Sequence, residues 1–260
     1  MLMLDITKTN WIGKSYLYKE EIDSTNSALF REAKELPHGT VMLAEGQTAG
    51  IGRRGRTWHS PKGENLYFSV LLKPDFAPDK APMLTLLMAL AVARAIAKVT
   101  GGDAKIKWPN DIVLQNKKVC GILTQMQVAK DIDAQVVIGV GINVNQQVFD
   151  EDALPYASSI QKELQKSCDR KQLLETLLLE FETLYERFAD FQHLGFVKAE
   201  YEKFLINREK SVRVLDPKGE YEAVALGINE LGELMVQKED GTTEAIYAGE
   251  VSVRGLYGYV

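Results

Sequence analysis

Cysteine and histidine are scarce in this sequence. Its 260 residues include two cysteines, Cys120 and Cys168, and three histidines, His38, His59 and His193. Two distant cysteines make no disulfide framework, and neither residue type occurs at the spacing of a metal-ligand set. The scarcity favours a reducing compartment and predicts no metal centre built from clustered side chains.

An excess of positive charge is also missing. The 31 lysines and arginines are outnumbered by 36 aspartates and glutamates, which gives a formal net charge of −5. Proteins whose main partner is a phosphate backbone are usually basic. The balance therefore disfavours general nucleic-acid binding.

Long uninterrupted apolar runs are absent too. The most apolar stretch, PMLTLLMALAVARAIAKV from Pro82, contains Arg94 and falls short of the ~20 apolar residues that a membrane span needs. The N-terminal MLMLDITKTNW lacks a basic region and has Asp5 within its apolar run, so it does not predict a signal peptide. We expect a cytoplasmic protein without a membrane partner, in which the apolar stretch forms a buried helix.

The pattern of apolar residues divides the chain into two parts. TNSALFREAKEL, capped by Asp23 or Ser24, and the segment from about Arg170 to Asp190 have helical periodicity, whereas TVMLAEGQ and NLYFSVLLKP are typical of strands. Beyond about Asn207, short strand-like segments alternate with turn signals at 216–219, 229–232 and 240–241. We predict an α+β fold with a mixed β-sheet and packed helices over residues 1–206, and a small C-terminal β-barrel over residues 207–260.

The stretch GIGRRGRTW, residues 50–58, matches the glycine spacing of a dinucleotide-binding turn. Such a turn needs a helix after it, to receive the pyrophosphate. Here RTWHSPKGENLYFSV follows, with Pro61, Gly63 and a strand pattern, which excludes that interpretation. Two other interpretations of this stretch remain equally open from its residues alone. It is either a solvated surface loop or a flexible backbone that brings Arg53, Arg54 and Arg56 to a carboxylate or phosphate.

A second motif, KIKWPNDIVL, lies where a loop enters an apolar strand. Trp108 and Pro109 are rigid and bulky, and Asn110 and Asp111 supply an amide and a carboxylate that can hold a ligand or a hydrated magnesium ion. The alternative is an Asx turn that closes a hairpin. Taken alone, the motif favours the turn.

Lys118 lies on the predicted strand KKVCGIL, where strand alternation directs it away from Lys117 and Val119 and onto the same face as Cys120, a small core residue. It is either an edge-strand gatekeeper or a buried cation awaiting an anion. Asn143 in GVGINVN ends a glycine-containing strand, which permits close approach of a ligand or marks a bulge.

Taken in order, Ser24-Thr25-Asn26, the glycine-arginine loop, KWPND, GIL and GVGINVN, followed by a small β-domain, resemble the biotin–protein ligases. The resemblance covers nearly the whole chain, and the combination of the loop with KWPND is far more specific than either alone. It implies an SH3-like form for the C-terminal barrel. It also implies the monofunctional type, without an N-terminal DNA-binding domain, because the chain begins almost at the catalytic domain.

The resemblance further implies a two-step reaction. Biotin attacks the α-phosphate of ATP, with Mg²⁺, to give biotinyl-5′-AMP, and a lysine of a biotin carboxyl carrier protein then takes the biotinyl group. No tightly bound cofactor is implied, and a homodimer is left open. The catalytic residues would be Lys118, Arg53 and Arg56. Biotin would contact Ser24, Thr25, Asn26, Gln47, Gly50, Arg53, Trp108, Lys118 and Gly121. The nucleotide would contact Arg53, Arg54, Arg56, Trp58, Asn110, Asp111 and Asn143, with magnesium near Asp111.

Two other functions compete with this interpretation. Lipoate–protein ligases and octanoyl transferases share the fold, but are not expected to carry the arginine loop and KWPND together. A nucleic-acid-binding protein would use the arginines differently, yet the acidic balance and the lack of a helix-turn-helix oppose it.

The loop departs from the family pattern G-R-G-R-R-G-R at one position, where Ile51 replaces an arginine. A cation is therefore missing where contact with ligand carboxylate or phosphate is expected, and binding of the nucleotide or of biotin should be weaker than with arginine, unless Arg54 or Lys118 compensates. We predict that Ile51→Arg tightens biotin binding and lengthens the lifetime of the adenylate on the protein. Titration calorimetry and adenylate-release kinetics measure both quantities, and no change in either would contradict the prediction.

Overall fold

Two β-sheets and five α-helices make up the described structure. The computed structural model describes residues 5–129, 132–216, 219–248, 252–255 and 259–260. The helices are α1 (Thr25–Glu32), α2 (Ala81–Thr100), α3 (Ile160–Leu164), α4 (Arg170–Phe191) and α5 (Lys198–Phe204). Short 3-10 turns occur at Ile6–Lys8, Arg53–Gly55 and Pro78–Lys80.

The larger sheet is mixed and has seven strands. They are β1 (Tyr16–Ile22), β2 (Val41–Gln47), β3 (Leu66–Leu72), β4 (Lys105–Lys107), β5 (Asp111–Leu114), β6 (Lys117–Ala129) and β7 (Ile132–Ile142). Their order is β1-β2-β3-β7-β6-β5-β4. The β1–β2 pair is parallel and the remaining pairs are antiparallel. The mixed sheet that the sequence predicts is therefore confirmed.

Helices cover both faces of this sheet. Every residue of β3 is buried, as expected for a strand that is apolar on both faces. Helix α1 packs on β3 and β7, whereas α2 packs on β6 and against α4. The apolar contacts on the α1 side form a cluster separate from the main core on the α2 side.

The most apolar helix belongs to the core. The segment Pro78–Thr100 is long and apolar enough to cross a bilayer by length and composition, but 67% of its most apolar window is buried inside the fold. Its charged residue Arg94 pairs with Glu180 of α4 and with Glu200 of α5. The helix ends at Gly101, whose left-handed φ of 75° suits glycine. The prediction of a buried helix is confirmed.

Helix α1 is shorter than its sequence pattern suggests. Ser24 caps it by accepting a hydrogen bond from the backbone N–H of Ser27, which chooses between the two predicted caps. The helix ends at Glu32, before Pro37. Helix α4 spans the predicted segment almost residue for residue.

The second sheet contains β8 (Lys210–Leu215), β9 (Tyr221–Ile228), β10 (Leu234–Gln237), β11 (Thr243–Ile246) and β12 (Ser252–Gly255). It is antiparallel, in the order β11-β10-β9-β8-β12. Its outer strands β11 and β12 do not pair in the part of the chain that the structure describes, so the expected SH3-like barrel is only loosely matched. Turns occur at two of the predicted positions, and the third includes Pro217 and Lys218, which lie outside the described residues.

One buried carboxylate attaches the N-terminal segment to α4. Glu182 is 2% exposed, and its oxygens accept hydrogen bonds from the backbone N–H groups of Asn10, Trp11 and Ile12 at 2.7, 2.8 and 2.9 Å. Three backbone donors, of which that of Ile12 is buried, are thus satisfied by one buried carboxylate; hydrogen bonds to an ionised acceptor are the strong ones.

Glu182→Ala should therefore lower the free energy of unfolding by about 3 kcal/mol, since it leaves buried donors unsatisfied. Asp190→Ala, which removes an exposed carboxylate from the same helix, should change it by less than about 0.5 kcal/mol. Urea unfolding of both variants measures the difference, and equal losses would refute this account.

Candidate active site

The site is a pair of connected pockets at one end of the larger sheet. Their common wall contains Gly52, Arg53, Trp58, Asn110 and Lys118. The smaller pocket extends from this wall towards the start of α1 and the centre of the sheet. The larger one extends towards the segment 149–157 and the second sheet.

A row of cross-strand partners forms the floor. Lys107 of β4 lies opposite Asp111 of β5, Asp111 lies opposite Gly121 of β6, and Gly121 lies opposite Gly141 of β7. Directly opposed residues of antiparallel strands point to the same face of a sheet. The row therefore presents two charged side chains at one end and an open, glycine-lined surface at the other.

Trp58 of the glycine-arginine loop lies on this open surface. A Cβ at Gly141 would lie 2.4 Å from the indole Nε1, and a Cβ at Gly121 would lie 2.8 Å from the indole Cζ3. The two glycines are needed because the ring occupies the space of their side chains. The indole Nε1 is buried and has no hydrogen-bond partner among the described residues.

Lys118 reaches the site because β6 contains a bulge. Ile112 pairs with Cys120 and Val113 with Lys118, which leaves Val119 without a partner in β5. Val119 and Cys120 are both fully buried in the core, whereas the Lys118 side chain lies 3.4 Å from the Cβ position of Gly121. The prediction that Lys118 and Cys120 share a face is thus wrong, because strict alternation does not hold across the bulge.

The ammonium of Lys118 pairs with Asp111. Its Nζ lies 2.7 Å from Asp111 Oδ1 and 5.3 Å from the ring centre of Trp58. Burial raises the pKa of Asp111, but the charge of Lys118 and hydrogen bonds from Lys118 and Tyr259 outweigh this effect, and the pKa lies below its usual value. Asp111 is therefore ionised at neutral pH.

Arg53 connects the loop to two other parts of the chain. Its Nη1 donates to Asn110 Oδ1 at 2.8 Å and its Nη2 donates to the backbone oxygen of Ala248 at 2.5 Å. Arg54 and Arg56 are exposed and line the larger pocket. Of the three arginines, only Arg53 lines both pockets.

The polar end of the smaller pocket is preassembled. The Thr25 backbone N–H donates to Gln47 Oε1 at 2.9 Å, and Gln47 Nε2 donates to Ser60 Oγ at 2.9 Å. Asn26 is held by Gln125, to which its Nδ2 donates at 2.9 Å, and its amide covers the Cβ position of Gly139. These contacts fix hydroxyl and amide groups along one wall without requiring motion.

The comparisons with known proteins agree with this geometry. The model of the biotin/lipoate A/B protein ligase family matches residues 18–143, and that of the biotin protein ligase C terminal domain matches residues 209–254. The bifunctional ligase/repressor BirA of Bacillus subtilis is 36% identical over 251 residues, which are 95% of this chain and 76% of that protein. The biotin–[acetyl-CoA-carboxylase] ligase of Mycobacterium tuberculosis is 32% identical, over 88% of this chain and 85% of its own length.

A solved structure is similar over nearly its full length. The biotin protein ligase of Aquifex aeolicus, in complex with biotin and ATP, has a TM-score of 0.82 and 31% identity, and the match covers 93% of this chain and 99% of that one. This chain belongs to the biotin protein ligases. The family membership implied by the sequence motifs is confirmed.

Two residues expected to contact biotin lie outside the smaller pocket. Trp108, expected beside biotin, is 3% exposed, donates its indole N–H to the Gly232 oxygen at 3.0 Å, and lines the larger pocket. Gly50 lines neither of the two pockets. A Cβ there would lie 2.4 Å from the Trp58 backbone oxygen, so this glycine shapes the loop.

The remaining candidate residues line one or both of the two pockets, and the ligand that each of them contacts stays a prediction. Asn143 lines the larger pocket and donates its amide to the Ser158 oxygen at 2.9 Å. The motif KWPND does form a hairpin turn, between β4 and β5, and this turn is also a wall of both pockets. No group of three or more His, Cys, Asp or Glu side chains in the described ranges could hold a metal ion.

Two polar residues next to Asp111 in the larger pocket, Lys107 and Tyr259, were not among the residues predicted to contact a ligand. Lys107 is 6% exposed, and burial lowers the pKa of its ammonium to about 8. Tyr259 donates its phenol hydrogen to Asp111 Oδ2. Alternation along KIK, with Ile106 in the core, could have directed Lys107 to the site. For Tyr259 the sequence contains no comparable signal.

Gly141→Ala should displace the Trp58 indole, because the added methyl group would overlap the ring. We expect a red shift of tryptophan emission that disappears in a Trp58→Phe background. Gly46→Ala is a matched control, since its Cβ would lie at an ordinary 3.4 Å from Lys62. An unshifted spectrum for Gly141→Ala would mean that the ring does not lie on the glycine surface.

Proposed function

We propose that this chain is an ATP-dependent biotin–protein ligase that forms biotinyl-5′-AMP and transfers the biotinyl group to a lysine of a biotin carboxyl carrier protein. The observation that carries the proposal is the position of Lys118, at the wall between two connected pockets. A reaction between a small acid and a nucleotide needs a cation at such a junction. Names of relatives and neighbours agree, since they are biotin ligases.

The smaller pocket binds biotin in this proposal. The ureido ring, which offers two donors and one acceptor, meets the hydroxyl and amide groups of Ser24, Thr25, Asn26 and Gln47. The valeryl chain of biotin runs along the glycine surface of Gly121 and Gly141 towards Lys118. Trp58 then leaves part of the surface that it covers, or packs on the chain.

The larger pocket binds ATP. Its lining contains cations from four segments, namely Arg53, Arg54 and Arg56 of the loop, Lys107 of β4, Lys118 of β6 and Arg254 of β12. A polyphosphate with several negative charges is the complementary ligand. Asn110, Asp111 and Asn143 supply polar groups near the nucleotide.

Magnesium fits the donor set as a hydrated ion held chiefly by the phosphates. Mg²⁺ commonly binds through one or two carboxylates and keeps several waters, and Asp111 is the buried carboxylate of the larger pocket. When bound, the ion neutralises phosphate charge during the attack at the α-phosphorus. Asp111 is then the residue that would orient it.

The chemical step brings one anion onto another. The biotin carboxylate attacks the α-phosphorus, the bond to the bridging oxygen of the leaving pyrophosphate breaks, and negative charge accumulates in the transition state. Lys118 leaves its pair with Asp111 to stabilise that charge, and Arg53 contributes from the other side of the wall. Preorganised cations in a partly buried site provide this stabilisation with little reorganisation.

The intermediate must be shielded from water until the carrier lysine attacks its carbonyl carbon and releases AMP. Arg53 and Trp58 close the loop over the junction in this proposal. The hydrogen bonds of Arg53 to Asn110 and Ala248 support it, because they attach the loop to both sheets.

Other features of the proposal concern organisation. The proposal also includes the division of the chain between residues 206 and 207, the cytoplasmic location and the carrier partner, and a homodimer stays a prediction.

A lipoate or octanoate substrate is the alternative that the broader family name allows. The match to a biotin-ligase C-terminal domain favours biotin. Incubation with ATP and each labelled acid distinguishes them.

Lys118→Ala should reduce formation of biotinyl-5′-AMP at least about 100-fold, since one preorganised charge contact is lost, while the melting temperature stays close to that of the parent. Lys117→Ala is the matched control, because this exposed lysine, next to Lys118 in the sequence, lines neither pocket. Biotin-dependent ATP–pyrophosphate exchange measures the rate. Near-normal exchange by Lys118→Ala would exclude the proposed role.

A further inference from the structure

Tyr259 occupies the larger pocket, with its ring beside two of the groups that a nucleotide needs. Its phenol donates to Asp111 Oδ2, and the ammonium of Lys107 lies 3.5 Å from its ring centre. Its ring also stacks on Tyr156, with centroids 5.3 Å apart and planes inclined by 20°. One side chain therefore covers an anion and a cation of the site together.

The position of this tyrosine is fixed by close backbone packing. A Cβ at Gly255 would lie 2.0 Å from the backbone oxygen of Val260. Only a residue without a side chain allows the backbone next to Tyr259 to approach β12 so closely. This close packing against β12 thus holds Tyr259 in place beside the larger pocket.

The hydroxyl of Tyr259 provides the third polar contact of the Asp111 carboxylate. Oδ1 of that carboxylate accepts from Lys118 at 2.7 Å and from Asn110 at 3.2 Å, and Oδ2 accepts from Tyr259. The phenol supplies the hydrogen of this bond, since a carboxylate oxygen only accepts. A group of the nucleotide or its ion that is to bind Asp111 at Oδ2 would have to displace the phenol.

Lys107 has a weak counter-charge in this arrangement. The ion pairs found among the described residues do not include Lys107, whose ammonium lies over the ring of Tyr259 and has Asp111, already paired with Lys118, opposite it across the strands. A cation–π contact is weaker than a charge-assisted hydrogen bond to phosphate. Stacked rings at the observed distance also leave no room for a purine between Tyr156 and Tyr259.

We propose that Tyr259 competes with ATP for Asp111 and Lys107, and so sets the nucleotide concentration that the enzyme requires. The inference rests on the proposed function, because it takes the larger pocket as the nucleotide site. In this proposal a side chain of the protein itself, Tyr259, occupies the nucleotide site before ATP binds. For ATP to bind, Asp111 would have to give up its hydrogen bond to Tyr259, and Lys107 would have to exchange the aromatic face for phosphate.

The test compares Tyr259→Phe and Tyr259→Ala with the parent. The first variant loses only the hydrogen bond to Asp111, and the second also loses the aromatic face. We expect the KM for ATP to fall about threefold in the first and about tenfold in the second, with an unchanged KM for biotin. Tyr221→Phe, which removes a comparable phenol–carboxylate bond to Glu244 at 2.7 Å in the same sheet, should leave the KM for ATP unchanged.

Biotin-dependent ATP–pyrophosphate exchange gives these constants, and calorimetric titration with MgATP alone gives the affinity directly. An unchanged KM for ATP in Tyr259→Ala overturns the inference. So does a raised one, which would make Tyr259 part of the surface that binds the nucleotide. If Tyr259→Ala fails to melt cooperatively, Tyr259→Phe decides the outcome by the same criteria.

The two proposals fail in different ways. A parent protein that binds MgATP but shows no biotin-dependent exchange refutes the proposed function, and the calorimetric comparison of the variants still measures competition by Tyr259. A parent that is active, with variants that bind MgATP no more tightly, refutes only the competition.

Discussion

The arrangement of the site depends on one row of opposed residues across four antiparallel strands. Lys107 and Asp111 place opposite charges at one end of the row, and Gly121 and Gly141 leave the other end without side chains. A sheet face that is covered by side chains offers no cavity. Here the missing side chains make the space that Trp58 fills, and the bulge at Val119 rotates Lys118 into the same face. The two pockets share a wall because both begin at this row.

The second sheet is part of the site through direct contacts. Gly232, Ala248 and Tyr259 each accept or donate a hydrogen bond that ends on a site residue of the larger sheet or its loops. The indole of Trp108 is the most buried of these connections. Its role is therefore to join the two sheets beneath the larger pocket, which explains why it does not lie beside the smaller one.

Much of this architecture could be predicted from sequence because its signals are local. The strand β3, with apolar residues on both faces, and the helical period of α4 specify burial by their own residues, and Arg94 within α2 opposes a membrane span. The motifs also placed Lys118, Arg53, Asn110 and Asp111 at one site. Strand alternation failed at Val119, since a bulge depends on pairing with β5 and leaves no mark in the letters of β6. Tyr259 was missed for a similar reason, because Asp111, to which its hydroxyl donates, lies 148 positions earlier in the chain.

The guanidinium of Arg53 holds two partners that are far apart in the chain. Its hydrogen bonds to Asn110 and to the Ala248 backbone join the loop, the β4–β5 turn and the second sheet at a single point. The loop can move away from the pockets only when both of these hydrogen bonds break. In the proposed reaction, entry of substrate and escape of the intermediate therefore depend on the same two contacts.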